Sequence, residues 1–144
     1  MKIAIMGAGG LGGFFGGKLA QAGHDVWFIA RGQQLAALKA SGLRLQGPDP
    51  EIVISHPNAT EMPAEIGAVD LVLFCVKLYD VEPAAALIKP ILTDATAVIS
   101  VLNGIDGPQR LATALETGTV FSGAARISAK IKAPGVISYL GSGD

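Results

Sequence analysis

Seven of the chain's 19 glycines fall between Gly7 and Gly17, and no feature constrains the fold more. The residues before them, Lys2-Ile3-Ala4-Ile5-Met6, form a short apolar run without alternation. Such a run predicts a strand buried on both faces of a parallel sheet. After the first glycines, Leu11, Phe15, Leu19 and Ala22 share one helical face, and Gly23 is placed to cap the helix end. Gly12, Gly13, Gly16 and Gly17 therefore sit inside a helix, where each costs about 0.8–1.0 kcal/mol relative to alanine. Together that is roughly 3–4 kcal/mol, a large part of the about 5–15 kcal/mol that holds a domain together. Glycines so placed imply close approach of another group to the backbone, which Gly16 and Gly17 meet by packing.

Between strand and helix, Gly7-Ala8-Gly9-Gly10-Leu11-Gly12 matches G-x-G-x-x-G. The pattern alone is weak, but between a strand and a helix it marks a dinucleotide phosphate turn. The first glycine permits the tight turn, the second lets the backbone approach a pyrophosphate, and the third lets helix and strand pack closely. Phosphates at that point meet unpaired N–H groups and the positive end of the helix dipole. The same stretch imitates a secretory leader, with Lys2 ahead of an uncharged run and Ala20-Gln21-Ala22 after it. Lys18 and the glycines break that imitation, so the segment belongs to the fold.

Further along, Val26 to Ala30 reads as a second buried strand, and a helix bearing Leu35 and Leu38 ends at Ser41-Gly42. Leu43–Gln46 and Glu51–Ile54 read as two short strands around Gly47-Pro48-Asp49-Pro50. Val69 to Val76 is an almost wholly apolar strand, followed by a helix with Val81, Ala85 and Ile88 on one face. Ala97 to Leu102 gives another strand, then a helix carrying Leu111 and Leu115. Arg126 to Lys132 alternates polar and apolar, turns at Ala133-Pro134-Gly135 and resumes as Val136 to Leu140, an antiparallel hairpin with one wet face. The expected fold is α/β: a Rossmann-type, doubly wound, mostly parallel sheet with a C-terminal antiparallel hairpin.

The end of the second strand indicates the cofactor. NAD sites place an acid there for the ribose 2′-OH, whereas an arginine accommodates a 2′-phosphate. Here the residues are Ile29-Ala30-Arg31-Gly32, and the nearby acid, Asp25, is at the wrong end. Arg31 therefore points to NADP(H); its plainer reading is a solvated arginine. Lys77 and Asn103 follow apolar strands, at the carboxyl edge where open α/β sheets bind ligands. Lys77 could pair with a substrate carboxylate, and Asn103 could donate to a carbonyl or orient a ribose. Their plainer readings are a surface lysine and a turn-forming Asn103-Gly104. Cys75 reads as a small buried hydrophobe, and His24 and His56 lack partners at metal-ligand spacing.

Composition removes several other classes. A formal net charge of -1 lacks the basic excess of a nucleic-acid binder. One cysteine among 144 residues excludes a disulfide framework and suits a reducing cytoplasm. No run of about 18 apolar residues exists to span a membrane.

Taken together, MKIAIMGAGGLGGFFGGKLAQAGHDVWFIARG, VDLVLFCVK and VLNG resemble the N-terminal domain of the 2-dehydropantoate 2-reductase (ketopantoate reductase) family. The resemblance covers essentially all of residues 1–144. It implies an NADPH-dependent reduction of 2-dehydropantoate to pantoate, on the route to pantothenate and coenzyme A. By matching position, Gly7 to Gly12 would hold the pyrophosphate and Arg31 the 2′-phosphate. Lys77 and Asn103 would contact cofactor and substrate near hydride transfer. Leu102 departs from the pattern, since a polar residue often precedes the family's Asn-Gly. The resemblance further implies a helical C-terminal domain, absent from this chain, that supplies the general acid, substrate contacts and most homodimer contacts. Residues 1–144 alone are then expected to bind NADP(H) without turnover. Two other readings stay open: an NADP-dependent reductase of another small 2-oxoacid, and a non-catalytic nucleotide-sensing domain.

Overall fold

The computed structural model describes residues 1–102 and 106–141. Strands and helices alternate as the apolar pattern requires. The chain begins β1 (Lys2–Met6), α1 (Gly10–Gln21), β2 (Asp25–Ile29) and α2 (Gly32–Ser41). Next come β3 (Leu43–Gln46), β4 (Ile52–Ile54) and β5 (Asn58–Thr60), then β6 (Leu71–Phe74) and α3 (Val81–Ile88). β7 (Ala97–Ser100), α4 (Asp106–Leu115), β8 (Thr119–Ser122), β9 (Ser128–Ala133) and β10 (Val136–Leu140) follow. Among the described residues, no helix is long and apolar enough to cross a membrane.

Six strands form one wholly parallel sheet in the order β5-β2-β1-β6-β7-β8. Helices cover both faces, so the central strands lose their alternation: Ala4, Ile5, Phe28, Val72 and Phe74 expose nothing to solvent. On one face α3 and α4 bury Val81, Ala85, Ile88, Leu111 and Leu115. On the other, Ile3, Ile5 and Phe28 pack with Phe14 of α1 and Leu38 of α2. The doubly wound parallel sheet expected from the sequence is present.

The closing hairpin is also present, but it belongs to a second sheet. β10 pairs in parallel with β3, giving the order β4-β3-β10-β9. This sheet lies over α1, so the helix is held between two sheets. That placement explains a difference from the expected helix face. Leu11, Phe15 and Leu19 are only half-buried and Ala22 is exposed, while Gly12, Gly13, Phe14, Gly16 and Gly17 are buried. Toward the parallel sheet, a Cβ at Gly16 would overlap the Phe28 ring and lie 2.9 Å from Ile5 Cγ1. Toward the second sheet, a Cβ at Gly13 would lie 2.8 Å from Ile137 Cγ1, and one at Gly17 2.8 Å from Leu45 Cδ1. Phe14 continues that second contact, its ring 4.7 Å from that of Tyr139.

The helix then stops as its sequence indicates. Gly23 adopts φ +97°, with its N–H donating to Ala20 and that of His24 to Leu19, the paired bonds of a left-handed helix stop. Other boundaries move by a few residues. The strand expected over Val69 to Val76 narrows to β6, although flanking bonds persist from Asp70 N–H to Lys2 and from Cys75 N–H to Met6. β5 and β8 were not legible. Each is an edge strand of three or four residues, and Asn58-Ala59-Thr60 has no apolar pattern.

Gly16→Ala tests the packing directly. Helix propensity alone favours alanine by up to about 1 kcal/mol, whereas overfilling a closed core costs about 1–3 kcal/mol. Phe28 and Ile5 are fully buried and cannot swing aside, so urea denaturation is expected to show a net loss of about 1–2 kcal/mol. A variant as stable as the parent would show that α1 does not lie this close.

Candidate functional site

The chain winds outward from β1 through β2 to β5, then returns to build β6, β7 and β8 on the other side. Adjacent connections leave in opposite directions at β1 and β6, and open α/β sheets form their ligand crevice there. A cleft of about 410 Å³ opens at that point, within the range of about 300–1,000 Å³ typical of small-molecule sites. Its lining brings together Gly7, Ala8, Gly9, Arg31 and Lys77 from three separate stretches of sequence.

The glycine-rich turn forms because β1 ends against β6. Cys75 N–H donates to Met6 at 2.8 Å, which draws the start of the turn beneath the carboxyl end of β6. Gly7 then takes φ +97°, and a Cβ on it would lie 2.9 Å from the Cys75 carbonyl oxygen. Only glycine satisfies both conditions. Gly9 caps α1, and Gly13 N–H donates to its carbonyl at 2.7 Å. The N–H groups of Gly10, Leu11 and Gly12 come before that bond and have no partner within the helix. A Cβ on Gly9 would meet no atom within 4 Å. The neighbours of Gly9 are crowded: a Cβ on Gly12 would overlap the Gly7 carbonyl, and one on Gly10 would overlap the Ala129 carbonyl of β9. The helix end is thus closed by β9 on one side and open at Gly9 on the other.

Arg31 stands at the carboxyl end of β2 in extended conformation, exposed, and caps α2. Asp25 stands at the opposite end of β2 and accepts from Asn58 Nδ2 at 3.3 Å. Lys77 follows β6 and is also exposed; among the described residues it makes no ion pair. The two cations therefore flank the turn on opposite sides of β1. Asn103 and Gly104 lie outside the described residues. Leu102, just before them, is buried in the core beneath α3 and α4, where a Cβ on Gly107 would lie 2.8 Å from its own Cβ.

Further residues line the cleft without having been legible as site residues, among them Gln34, Glu61 and Ile131. Gln34 had a signal. It lies four residues before Leu38, the buried residue of α2, and so shares its inward face. Glu61 follows an edge strand with no pattern, and Ile131 arrives from a hairpin over a hundred residues beyond the turn. Cys75 lines the cleft too, and burial pushes its thiol up to about 12.

Comparison with known proteins supplies a family. The model of the family described as ketopantoate reductase PanE/ApbA matches residues 3–144. A 2-dehydropantoate 2-reductase of Mesorhizobium japonicum is 42% identical over 106 residues, covering 73% of this chain and 32% of that protein. The crystal structure of a PanE/ApbA family ketopantoate reductase from Ralstonia eutropha JMP134 superposes with a TM-score of 0.93 at 38% identity. It covers 99% of this chain and 47% of its own. A ternary structure of D-mandelate dehydrogenase with NADH and anilino(oxo)acetate superposes with a TM-score of 0.88 at 28% identity, covering 99% and 46%. The chain spans about half or less of the length of the curated relatives it matches.

The thiol offers a check on the cleft wall. Raised from 9.0 to about 12, Cys75 stays protonated at pH 8, and its thiolate fraction is about a thousandfold below that of the unfolded chain. Iodoacetamide at pH 8 is therefore expected to label the native protein far more slowly than the urea-unfolded chain; comparable rates would contradict the burial. Because the folded-state value is the higher one, the stability from this neutral thiol is fully present below pH 9 and is lost as pH rises toward about 12.

Proposed function

The chain belongs to the ketopantoate reductase PanE/ApbA family, and on that premise we propose that it is the NADP(H)-binding domain of a 2-dehydropantoate 2-reductase. The whole enzyme would reduce 2-dehydropantoate to pantoate in pantothenate and coenzyme A biosynthesis. The observation that carries the reading is the convergence of Gly7, Ala8 and Gly9 of the glycine-rich turn with Arg31 and Lys77 on one cleft at the reversal of strand order.

The residues present suit the cofactor. The open side of Gly9 leaves room for a pyrophosphate against the first N–H groups of α1, and the helix dipole favours an anion there. At the end of β2, the Arg31 guanidinium can pair with a 2′-phosphate through two parallel hydrogen bonds. Asp25 is too far along the strand to take a ribose hydroxyl instead. When bound, NADP(H) supplies the hydride that reduces the keto carbon. Lys77 is assigned the substrate side, where its ammonium attracts the carboxylate or carbonyl oxygen of a 2-oxoacid. Asn103 is assigned contacts to cofactor and substrate from the end of the β7 stretch. The proton for the carbonyl oxygen is assigned to the half of the relatives with which this chain does not align. That half is also assigned the homodimer contacts of the whole protein, and a cytoplasmic location agrees with the single cysteine.

The similarity to D-mandelate dehydrogenase favours a second reading, in which the same domain serves a different small 2-oxoacid. Turnover by the full-length protein across a panel of 2-oxoacids separates the two. The first requires 2-dehydropantoate to give the highest kcat/KM; an aromatic 2-oxoacid in that place selects the second.

The cofactor assignment has its own test. In calorimetric titrations the wild type is expected to prefer NADPH to NADH. Arg31→Ala should lose about tenfold or more of NADPH affinity, the worth of a hydrogen-bonded charge pair, with little change for NADH. An unchanged preference in the variant would remove Arg31 from the 2′-phosphate site.

A further inference from the structure

Gln34 lies in the first turn of α2, three residues beyond Arg31. Its side-chain amide makes two hydrogen bonds, both to distant backbone. Nε2 donates to the Ala8 carbonyl at 2.9 Å, and Oε1 accepts from Gly135 N–H at 2.8 Å. The first partner belongs to the glycine-rich turn and the second to the tip of the β9–β10 hairpin. That tip is itself fixed. Gly135 is buried, takes φ +79°, and its carbonyl accepts from Arg44 N–H at 2.9 Å. One amide therefore ties together the turn, α2 and the second sheet.

The bond to Ala8 has a geometric consequence. The Ala8–Gly9 peptide is trans, so its C=O and N–H point in opposite directions across one plane. Holding the carbonyl toward Gln34 turns the Gly9 N–H away from Gln34. Gly9 faces the open part of the cleft, and among the described residues its N–H makes no backbone hydrogen bond. A flip of the same plane would instead present the negative carbonyl oxygen to an arriving anion.

We propose that Gln34 is a positioning residue for the cofactor's pyrophosphate, locking the Ala8–Gly9 peptide with its N–H toward the cleft and fastening that turn to the hairpin. The inference rests on the dinucleotide reading above and adds to it a residue outside the glycine motif. It also predicts which ligands feel the lock. A pyrophosphate meets the Gly9 N–H, whereas the 2′-phosphate meets Arg31 and is indifferent to the peptide plane.

The test is a pair of dissociation constants, for NADPH and for adenosine 2′-monophosphate, on the intact protein and two variants. Gln34→Met removes both hydrogen bonds without adding charge. Gln34→Glu keeps an acceptor for Gly135 N–H but, ionised, has no donor for Ala8. The constants are measured at about 1 M salt, where the Debye length is about 3 Å and general repulsion from its charge is screened, so the ratio of the two constants reports on the peptide plane. The ratio Kd(NADPH)/Kd(adenosine 2′-monophosphate) is expected to rise about tenfold in each variant, the scale of a lost hydrogen bond to an anion. If Gln34→Met fails to fold, Gln34→Glu, which retains the hairpin tie, supplies the ratio. An unchanged ratio with wild-type NADPH binding intact overturns the role of Gln34 alone. A wild type that binds neither ligand overturns the dinucleotide reading, and this inference with it.

Discussion

With no Cβ atoms at Gly12 and Gly16, α1 lies against Ile5 and Phe28 of the parallel sheet. With none at Gly10, Gly13 and Gly17, it lies at the same time against β9, β10 and β3. Positions 12 and 16 are four apart and positions 10, 13 and 17 are three and four apart, so each set forms a stripe along one side of the helix. A helix bearing ordinary side chains on either stripe would hold one sheet away. The glycines thus let one helix serve as the interior layer between two sheets, and their unfavourable propensity is offset by the burial of both sheets' apolar faces. The rest of the architecture, including the parallel pairing of β10 with β3, depends on that spacing.

The same closeness shapes the site. At its N-terminal end α1 is crowded by Ala129 and Lys130 of β9 and by the Gly7 carbonyl, and it is open past Gly9. The cleft between β1 and β6 gives an anion an approach to the helix dipole there. Arg31 and Lys77 stand on either side of that approach because the strands bearing them flank β1. Sheet order, rather than sequence proximity, sets the separation between the two cationic ends of the cleft. Gln34 connects this arrangement back to the second sheet, so that the glycine turn and the hairpin are held by one side chain.

Elements governed by local pattern were legible in the chain. β6 is an unbroken apolar run, β1 and β7 are apolar but for Lys2 and Ser100 at their ends, and α3 carries its buried residues at helical spacing. The stop at Gly23 follows from one glycine in the left-handed region. The glycine-rich turn was legible because its requirements are local, a tight turn and a bare backbone. Arg31 and Lys77 were legible because a polar residue after a buried strand must emerge at the carboxyl edge. β5 and β8 were not, since edge strands of three or four residues are defined by their partner and not by their own side chains. The face of α1 was misjudged for a related reason. Apolar periodicity indicates where side chains are, whereas this helix is buried by the side chains it lacks.

The sequence by itself determined the α/β alternation, the glycine-rich turn and the cationic residues beside it, because each depends on residues within a few positions of one another. Tertiary structure decided that the last hairpin joins β3 and β4 in a second sheet, that α1 is buried on both sides, and that Gln34, Glu61 and Ile131 line the cleft. Those outcomes depend on contacts between backbones tens of residues or more apart. A backbone carbonyl or N–H is the same in every residue, so no amino-acid letter records which distant partner it will meet.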